Sequence, residues 1–453
     1  MEICSPWEVA KWRHSRKNSV ITVLKQPDST LTYDPQEMAT TLSQRFFTPD
    51  SGIPISSFLD DPPPLPTCPW HPLTDEEIAS CLKDTANTSA PGNSGIAWWM
   101  LKDAWPKVDK YLTWIFNGCL QHGTHPDLWK IAMVVVIPKP NRTDHFAAKN
   151  YRPISLLECI SKLLEKAVSK HLMYAIDHHH LIPTTQFGMR AFSSTLDTGL
   201  ALLHDAQTAL CKGEKCTILL VDIKGFFDNV KWDWLHMVME NMGFPQELVS
   251  WMDSFLRGRK VHLAFNNFQL EEMDQPVGTP QGSPVSPILS SLYTAPLLSK
   301  VAQWTNSTLR MYVDDRVIFA HAQDWESVNM LLTARYRVCE EWFCRCNLSI
   351  ELDKTELLYF RRPCAHKADD PPHQVLLPNL VECTYYAVQA SAMVRYLGFF
   401  INYKLDWAPH VNVGCNWART PLKALQVLGN SQHGLSTANW RLVFNAVCLP
   451  VLL

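Results

Sequence analysis

Two adjacent carboxylates, Asp314 and Asp315, lie between two apolar runs in the stretch LRMYVDDRVIFA, residues 309–320. Neighbouring like charges raise each other's pKa, so an Asp-Asp pair between buried strands needs a physical reason. The two other Asp-Asp pairs of the sequence lie beside prolines in polar stretches, where solvation explains them. We interpret the stretch as a β-hairpin with Asp314 and Asp315 as its two-residue turn.

A further carboxylate, Asp222, follows directly on a short apolar strand in CTILLVDI. The predicted order of strand, helix, turn with helix, and hairpin is typical of a split β-α-β core in an α+β protein. In such a core the strand end and the hairpin tip can be neighbours, which gathers three carboxylates. Mg²⁺ is a hard, oxygen-ligated cation that shares its ligands with substrate phosphates. Two such ions can activate the attacking oxygen and stabilise the leaving oxygen of a phosphoryl transfer, which is the chemistry we predict.

Other patterns predict the elements around these acids. IAMVVVIPKP, residues 131–140, is predicted to be a buried strand, and SLLECISKLLEKAVSKHLMYAI, residues 155–176, an amphipathic helix. Asp228 is expected to cap the helix that follows Asp222. Ser286 is expected to cap another, with a proline as its first residue.

Composition and charge restrict the class of protein. The chain has 453 residues, of which 46% are hydrophobic and 19% charged, which indicates a globular protein with room for two or three domains. A net charge of −3 argues against a dedicated nucleic-acid-binding protein. However, residues 130–170 contain eight lysines and arginines and three acids, which predicts a local anion-binding surface.

Three motifs in this order, VDIKGFFDNV, GTPQGSPVSPILSSLY and YVDD, resemble those of reverse transcriptases. The flanking IPKPNRTDHFAAKNYRPISLL, QFGMR and YLGFFI make the chain most similar to reverse transcriptases of non-LTR (LINE-type) retrotransposons. The resemblance covers roughly residues 90–430 and implies a right-hand polymerase fold with fingers, a palm and a thumb cut short. The chain would then be a fragment of a larger polyprotein.

The predicted domains follow from this resemblance and from a capping box, in which Thr74 and Glu77 begin a helix. They are an N-terminal segment with a proline-rich linker (1–73), the reverse transcriptase domain (74–402, core motifs 120–402) and partial thumb helices (403–453).

The resemblance implies an RNA-directed DNA polymerase that adds dNTPs to a primer 3′-hydroxyl. The expected partners are an RNA template, a DNA primer and dNTPs, with a retroelement RNA-binding protein as a further candidate, and no membrane. The family suggests the nucleus, for which KWRHSRK is a weak signal. The first alternative is an inactive or domesticated relic that binds RNA without polymerising. A group II intron maturase is a further candidate, although a splicing domain would then be expected downstream.

The resemblance also assigns the metal centre. Asp222 and Asp314 would bridge two Mg²⁺ ions, with Mn²⁺ as an alternative. Asp315 would be a less direct third acid, and the Ile223 carbonyl would complete the metal shell. Lys354, in ELDKTELLYF, either protonates the pyrophosphate leaving group or is a solvated lysine.

Further residues are assigned to the incoming nucleotide. Lys139 and Arg152 would bind its triphosphate, as an ammonium point charge and a bidentate fork. The ring of Phe227, five residues after Asp222, would exclude a ribose 2′-hydroxyl and select dNTPs. Phe226 would form part of the pocket floor.

Two more motifs supply the remaining predicted contacts. Gln281 and Gly282 would line the nucleotide and template pocket, where glycine allows close backbone approach. Tyr396, Leu397 and Gly398 would belong to a hairpin that grips the primer end.

Two positions depart from the family pattern. Phe226 occupies a position that is commonly small, which predicts an altered pocket floor. Arg316 follows the Asp-Asp pair directly and is expected to compete for the carboxylate charge.

Overall fold

A computed structural model of the chain describes residues 21–47, 68–139, 144–266, 268–361, 370–425, 434 and 436–452. The stretch KWRHSRK and most of the proline-rich linker lie outside these described residues. The helices are α1 (Pro35–Phe46), α2 (Asp75–Lys83), α3 (Trp98–Gln121), α4 (Cys159–His178), α5 (Thr195–Cys211), α6 (Trp232–Asn241), α7 (Gln246–Leu256), α8 (Ser286–Val301), α9 (Trp325–Arg345), α10 (Ala408–Leu425), α11 (Thr437–Val447) and α12 (Leu449–Leu452). The strands are β1 (Leu24–Lys25), β2 (Leu31–Thr32), β3 (Ile131–Pro138), β4 (Tyr151–Leu156), β5 (Lys215–Val221), β6 (Arg259–Phe265), β7 (Phe268–Gln269), β8 (Met273–Gln275), β9 (Ser307–Tyr312), β10 (Asp315–Ala322), β11 (Glu356–Phe360), β12 (Gln374–Asn379), β13 (Thr384–Gln389), β14 (Met393–Tyr396) and β15 (Phe399–Asn402).

The sheet that carries the predicted acids, called the palm sheet below, has the antiparallel order β11-β5-β10-β9. Its central strand β5 is an almost continuous apolar run because both of its faces are buried. Ile218 and Leu220 belong to the core shared with α5, whereas Leu219 and Val221 belong to the core shared with α9. This packing confirms the predicted strand and fixes the point at which Asp222 leaves the sheet.

A second sheet, called the finger sheet below, has the order β4-β3-β6-β7, with β8 also paired to β6. Strands β3 and β6 are parallel and the other pairs are antiparallel. Helix α1 covers this sheet, since Met38, Leu42 and Phe46 are buried in one cluster with Val134 and Val261.

Two boundaries in this region differ from the predictions. The strand predicted over 131–140 ends at Pro138. The helix predicted over 155–176 begins at Cys159, because residues 151–156 pair with β3 as strand β4. The amphipathic pattern alone did not reveal that its first residues are used by the sheet.

The predicted helix caps have mixed outcomes. The capping box of Thr74 and Glu77 is confirmed at the start of α2. The predicted cap at Ser286 is wrong by one residue, because Ser286 is the first helical residue of α8 and Val285 precedes it. The Ser286 hydroxyl donates to the Pro280 carbonyl at 2.9 Å and thereby holds the preceding loop.

The proposed domain boundaries remain predictions. Residues 403–453 contribute α10, α11 and α12, and α1 packs on the finger sheet from the N-terminal side of the proposed boundary at 73/74. In the part of the chain that the structure describes, no helix combines the length and apolar character needed to span a membrane.

Candidate active site

The tip of the β9–β10 hairpin carries the Asp-Asp pair, but its turn is shifted by one residue from the prediction. Asp315 pairs with Tyr312, so the two turn residues are Val313 and Asp314, and Asp315 is the first residue of β10. Val313 has φ +58°, a conformation that a β-branched residue adopts only when its surroundings impose it.

Gln186, in the QFGMR motif, supplies much of that constraint. It is fully buried, and its side-chain oxygen accepts hydrogen bonds from the backbone N–H groups of Val313 and Gly188, both at 3.2 Å. A side chain at Gly188 would place its Cβ 2.6 Å from the Val313 nitrogen. The motif therefore clamps the turn that presents Asp314.

The second acid position lies where β5 ends. The Asp222 carbonyl accepts from the Glu351 N–H at 2.9 Å, and the Lys224 N–H donates to the Ser349 carbonyl at 2.9 Å. Ile223 lies between these two hydrogen bonds and opposite Ile350, so neither bond involves the Ile223 carbonyl. That carbonyl is therefore available to a ligand, as the predicted metal shell requires.

The Asp222 carboxylate is held by a lysine. Lys354 Nζ lies 2.7 Å from Asp222 Oδ2 and also forms an ion pair with Glu351. Burial alone would lower the pKa of Lys354, but the hydrogen bonds and negative charges of Asp222 and Glu351 outweigh it and raise the pKa. Lys354 therefore stays protonated as a cation beside the acids, and although its side chain is 38% exposed it is ion-paired rather than freely solvated.

Beneath the acids lies a buried arginine. Arg316 is 1% exposed, and its guanidinium stands 4.8 Å from the ring centroid of Phe226 and 5.2 Å from that of Phe343. It donates to the Asp314 carbonyl oxygen. Burial lowers the pKa of Arg316 to about 10, while the charges of the three nearby acids, Asp314 first, act in the opposite direction. The two departures from the family pattern, Phe226 and Arg316, are thus one stacked unit.

The acids are close enough to affect one another. Burial raises the pKa of Asp315 to about 6, with further increases from the charges of Asp314 and Asp222 and a decrease from Arg316. Burial is therefore the main cause of the raised pKa, and the charges of the neighbouring acids add to it.

Asp228 is not the helix cap that was predicted. The first residue of α6 is Trp232 and the residue before it is Lys231, so Asp228 precedes the helix by several positions. Its Oδ1 accepts from Gln281 Nε2 at 3.0 Å, which joins the two loops that carry predicted nucleotide contacts. Burial raises the pKa of Asp228 to about 6 despite this hydrogen bond.

The backbone of the predicted gate is fixed by the glycine-proline loop. The Thr279 N–H donates to the Phe227 carbonyl at 2.8 Å, and a Cβ at Gly278 would lie 2.8 Å from that same oxygen. The Phe227 ring is half-buried and lies edge-on to Phe226, with ring centroids 5.7 Å apart.

Gly282 is required by a close approach within the chain itself. It has φ +125°, and a Cβ there would lie 2.8 Å from the Ser155 carbonyl oxygen. The Ser155 N–H donates to the Gln281 carbonyl at 2.8 Å. The loop therefore rests on strand β4, which joins the palm side of the site to the finger sheet.

A buried acid supports the same loop from below. Glu165 on α4 is fully buried and accepts hydrogen bonds from the hydroxyls of Ser161, at 2.6 Å, and Ser283. Sequence reasoning assigned no role to Glu165, because an acid on an amphipathic helix is more often exposed.

The opposite wall of the site is cationic. Arg45, Lys139, Lys149 and Arg152 all line the cleft that contains the acids. Lys139 Nζ donates to the Lys149 carbonyl at 2.7 Å. Burial lowers the pKa of Lys139, and the positive charges of Lys354, Arg152 and Arg45 lower it further, although Glu351 opposes them. Lys149 belongs to the basic stretch 130–170 that predicted an anion-binding surface, whereas Arg45 was not identified from the sequence.

These walls enclose a cleft of about 950 Å³. Every residue predicted for the site lines it except Gly398, which is not among its lining residues. Gly398 and Leu397 form the turn between β14 and β15, with φ +91° and +49°. Tyr396 is 3% exposed, and burial raises the pKa of its hydroxyl. The predicted primer-grip hairpin is therefore present at the edge of the cleft.

Comparison with known proteins agrees with this geometry. The sequence profile of the family described as "Reverse transcriptase (RNA-dependent DNA polymerase)" matches residues 137–401. The chain belongs to this family. Its fold is accordingly that of a right-hand polymerase, with mixed α and β structure.

Relatives of this reverse transcriptase chain come from non-LTR retrotransposons. It is 26% identical, over 85% of its own length and 41% of the other's, to a "Probable RNA-directed DNA polymerase from transposon X-element" of Drosophila melanogaster. It is 23% identical, over 99% of its length and 49% of the other's, to the "RNA-directed DNA polymerase from mobile element jockey" of the same species. The chain thus spans less than half the length of these curated relatives.

Among solved structures, truncated apo telomerase from Candida tropicalis is similar, with a TM-score of 0.42 and 13% identity over 62% of this chain and 55% of that one. A likeness at this level supports no argument about function.

Reverse transcriptases use divalent metal ions, and the donor set of this chain fits such an ion. The acids offer hard oxygen donors, and a bound cation would offset the repulsion from Asp314 and Asp222 that adds to the effect of burial on the pKa of Asp315. Within the described ranges, no group of three or more His, Cys, Asp or Glu side chains could hold a metal ion by itself. Mg²⁺ at phosphate-transfer sites takes one or two carboxylates together with substrate phosphates, so a closed protein cage is not required.

Proposed function

We propose that the chain is an RNA-directed DNA polymerase of a non-LTR retrotransposon, which extends a primer 3′-hydroxyl with dNTPs. The observation that carries the proposal is a single cleft lined both by carboxylates of the palm side and by finger-side cations that have no carboxylate partner among the described residues. Phosphoryl transfer from a triphosphate needs both: oxygen ligands for metal ions at the reacting phosphate, and cations for the charge of the leaving group.

Asp222, Asp314 and the Ile223 carbonyl are the proposed ligands of two Mg²⁺ ions, with Mn²⁺ as a substitute and Asp315 in a supporting position. When bound, such ions would activate the primer hydroxyl and stabilise the leaving oxygen. The chain's own contribution is geometry. The β5 end and the clamped hairpin turn hold the acids in place before substrate binds, which avoids reorganisation during the reaction.

Lys139 and Arg152 are the proposed triphosphate ligands on the opposite wall. Lys354 is the proposed proton donor to pyrophosphate, because it remains protonated next to Asp222 and lies in the same cleft. Gln281 and Gly282 are proposed to contact the nucleotide and template. Tyr396, Leu397 and Gly398 are proposed to position the primer end.

Phe227 is the proposed selector of dNTPs over rNTPs. Its backbone is fixed by Thr279 and its ring lines the cleft, so a sugar seated against it has a rigid neighbour. A 2′-hydroxyl would then have no space.

The test is primer extension on an RNA template with Mg²⁺, comparing dNTPs with rNTPs. We expect extension with dNTPs alone, its loss in Asp314→Ala, and acquired rNTP incorporation in Phe227→Ala. Template binding without extension by the unmodified chain would contradict the proposal and favour the relic that binds RNA without polymerising.

The partners are proposals of the same kind: an RNA template, a DNA primer, dNTPs and a retroelement RNA-binding protein, with action in the nucleus. The family supports the nucleic-acid substrates, while the RNA-binding protein and the location rest on resemblance alone. Co-purification of the element's RNA with the chain would support the template assignment.

A further inference from the structure

We propose that Arg45, on helix α1, is an additional ligand of the incoming nucleotide's triphosphate. This inference rests on the proposed polymerase function and adds to it a residue outside the matched family region, residues 137–401.

The first support is the rigid placement of Arg45. It lies in the last turn of α1, whose N-terminus is capped by the Asp34 carboxylate accepting from the Glu37 N–H at 3.0 Å. The apolar side of the helix, with Leu42 and Phe46, is buried against the finger sheet. Arg45 is therefore carried by a docked helix, and its half-buried side chain lines the cleft.

A second contact ties the same segment to the loop that holds the other cations. The Lys25 N–H donates to the Phe146 carbonyl at 2.7 Å, and Lys25 forms a bridge with Ala147. This loop continues directly into Lys149, whose carbonyl binds Lys139 Nζ. Arg45 and Lys139 thus belong to one connected unit, although they are far apart in sequence.

The third support is the charge balance of this wall. None of Arg45, Lys139, Lys149 and Arg152 forms an ion pair with a carboxylate of the described residues, and the only hydrogen bond among their side chains goes to a backbone carbonyl. The charge of Arg45 acts on Lys139, and both cations also act on Glu351. Four cations that line one cleft without a direct carboxylate partner in the described part of the chain outnumber this one acid, so the wall favours a multiply charged anion.

A simpler role for Arg45 is to complement the helix dipole, which favours a cation in the last turn. That role would be served equally by a side chain pointing into solvent. Lys83 provides such a case, because it is an exposed cation in the last turn of α2. It is therefore the matched control.

The experiment measures single-nucleotide incorporation of dTTP on an RNA template, with the full chain and with Arg45→Ala, Arg45→Lys and Lys83→Ala. We expect the KM for dTTP to rise about tenfold or more in Arg45→Ala, because one charge-assisted contact is lost. The kcat and the affinity for the template should change by less than about twofold, because the proposed contact is to the triphosphate in both the ground state and the transition state. Arg45→Lys should recover part of the loss, because a point charge still attracts phosphate.

Binding of dTTP and of inorganic tripolyphosphate to the same proteins, measured by calorimetry, separates this inference from the polymerase proposal. Weaker binding of both ligands to Arg45→Ala, with unchanged binding to Lys83→Ala, supports the inference even if the chain does not extend a primer. Unchanged binding, or a loss of template affinity without a change in KM, would overturn it.

Discussion

The two walls of the cleft handle charge in opposite ways. On the palm side, Asp222 is paired with Lys354 at 2.7 Å, and Arg316 stands beneath the Asp314 turn. On the finger side, Lys139 and Arg152 have no carboxylate partner among the described residues. The palm wall is therefore partly neutralised by the chain itself, whereas the finger wall leaves its charge available to a ligand.

The difference follows from the electrostatic cost of the charges on each wall. Clustered carboxylates destabilise the folded state unless cations compensate them, and the charges of Asp314 and Asp222 add to the effect of burial in raising the pKa of Asp315. The finger cations are more solvated, since Arg152 and Lys149 are exposed, so their mutual repulsion costs less.

The largest loss of activity is expected from neutralising one acid of the palm wall. Asp222→Asn should reduce nucleotide incorporation by about 10²-fold or more, because the proposed metal ligand, worth several kcal/mol, would be lost. Asp228→Asn, on the same loop, should reduce it by less than about tenfold, because the amide oxygen still accepts from Gln281. Single-turnover kinetics distinguishes the two. Equal losses would show that Asp228 takes part in the chemistry itself.

A second prediction concerns pH. The pKa of Asp228 is raised by burial from 3.8 to about 6, so the folded state binds a proton more readily than the unfolded state. Its contribution to stability is therefore present at low pH and is lost as pH rises from about 4 through 6. Between pH 5 and pH 8 the wild type should lose on the order of 1 kcal/mol relative to Asp228→Asn. Urea unfolding of both proteins at the two pH values tests this expectation, and parallel stability curves would contradict it.

The smallest expected effect concerns Arg316, the buried cation of the palm wall. Phe226→Leu should destabilise the protein less in an Arg316→Met background than in the wild type, because the stacked guanidinium is already gone. The expected coupling is about 1 kcal/mol, typical of a desolvated cation–π pair. A double-mutant cycle by urea unfolding measures it. Strict additivity would mean that the ring and the guanidinium are independent neighbours.

Much of the palm sheet could be predicted because local pattern and burial agree there. The run ending at Val221 is apolar on both faces, and the acid that follows it marks the strand end. The hairpin was also recognisable, but its turn was misplaced by one residue. A period-two pattern fixes which face is buried, whereas the turn position depends on Gln186, a partner distant in sequence, binding Val313.

Asp228 shows a related limit. Its position before a helical pattern suggested a cap, yet burial and Gln281 decide its actual environment. A side chain that can hydrogen-bond locally is ambiguous from sequence, because the competing long-range partner is invisible there.

The sequence by itself determined the family, the acids of the palm wall and the apolar strand that ends at Asp222, because motif order and hydrophobic period are local properties. Only the tertiary structure decided the charge balance of the cleft. It brought Arg45 from an N-terminal helix to Lys139, and it stacked Phe226 on Arg316. Coulombic and stacking energies depend on distances in space, and those distances are set by the packing of the helices and sheets.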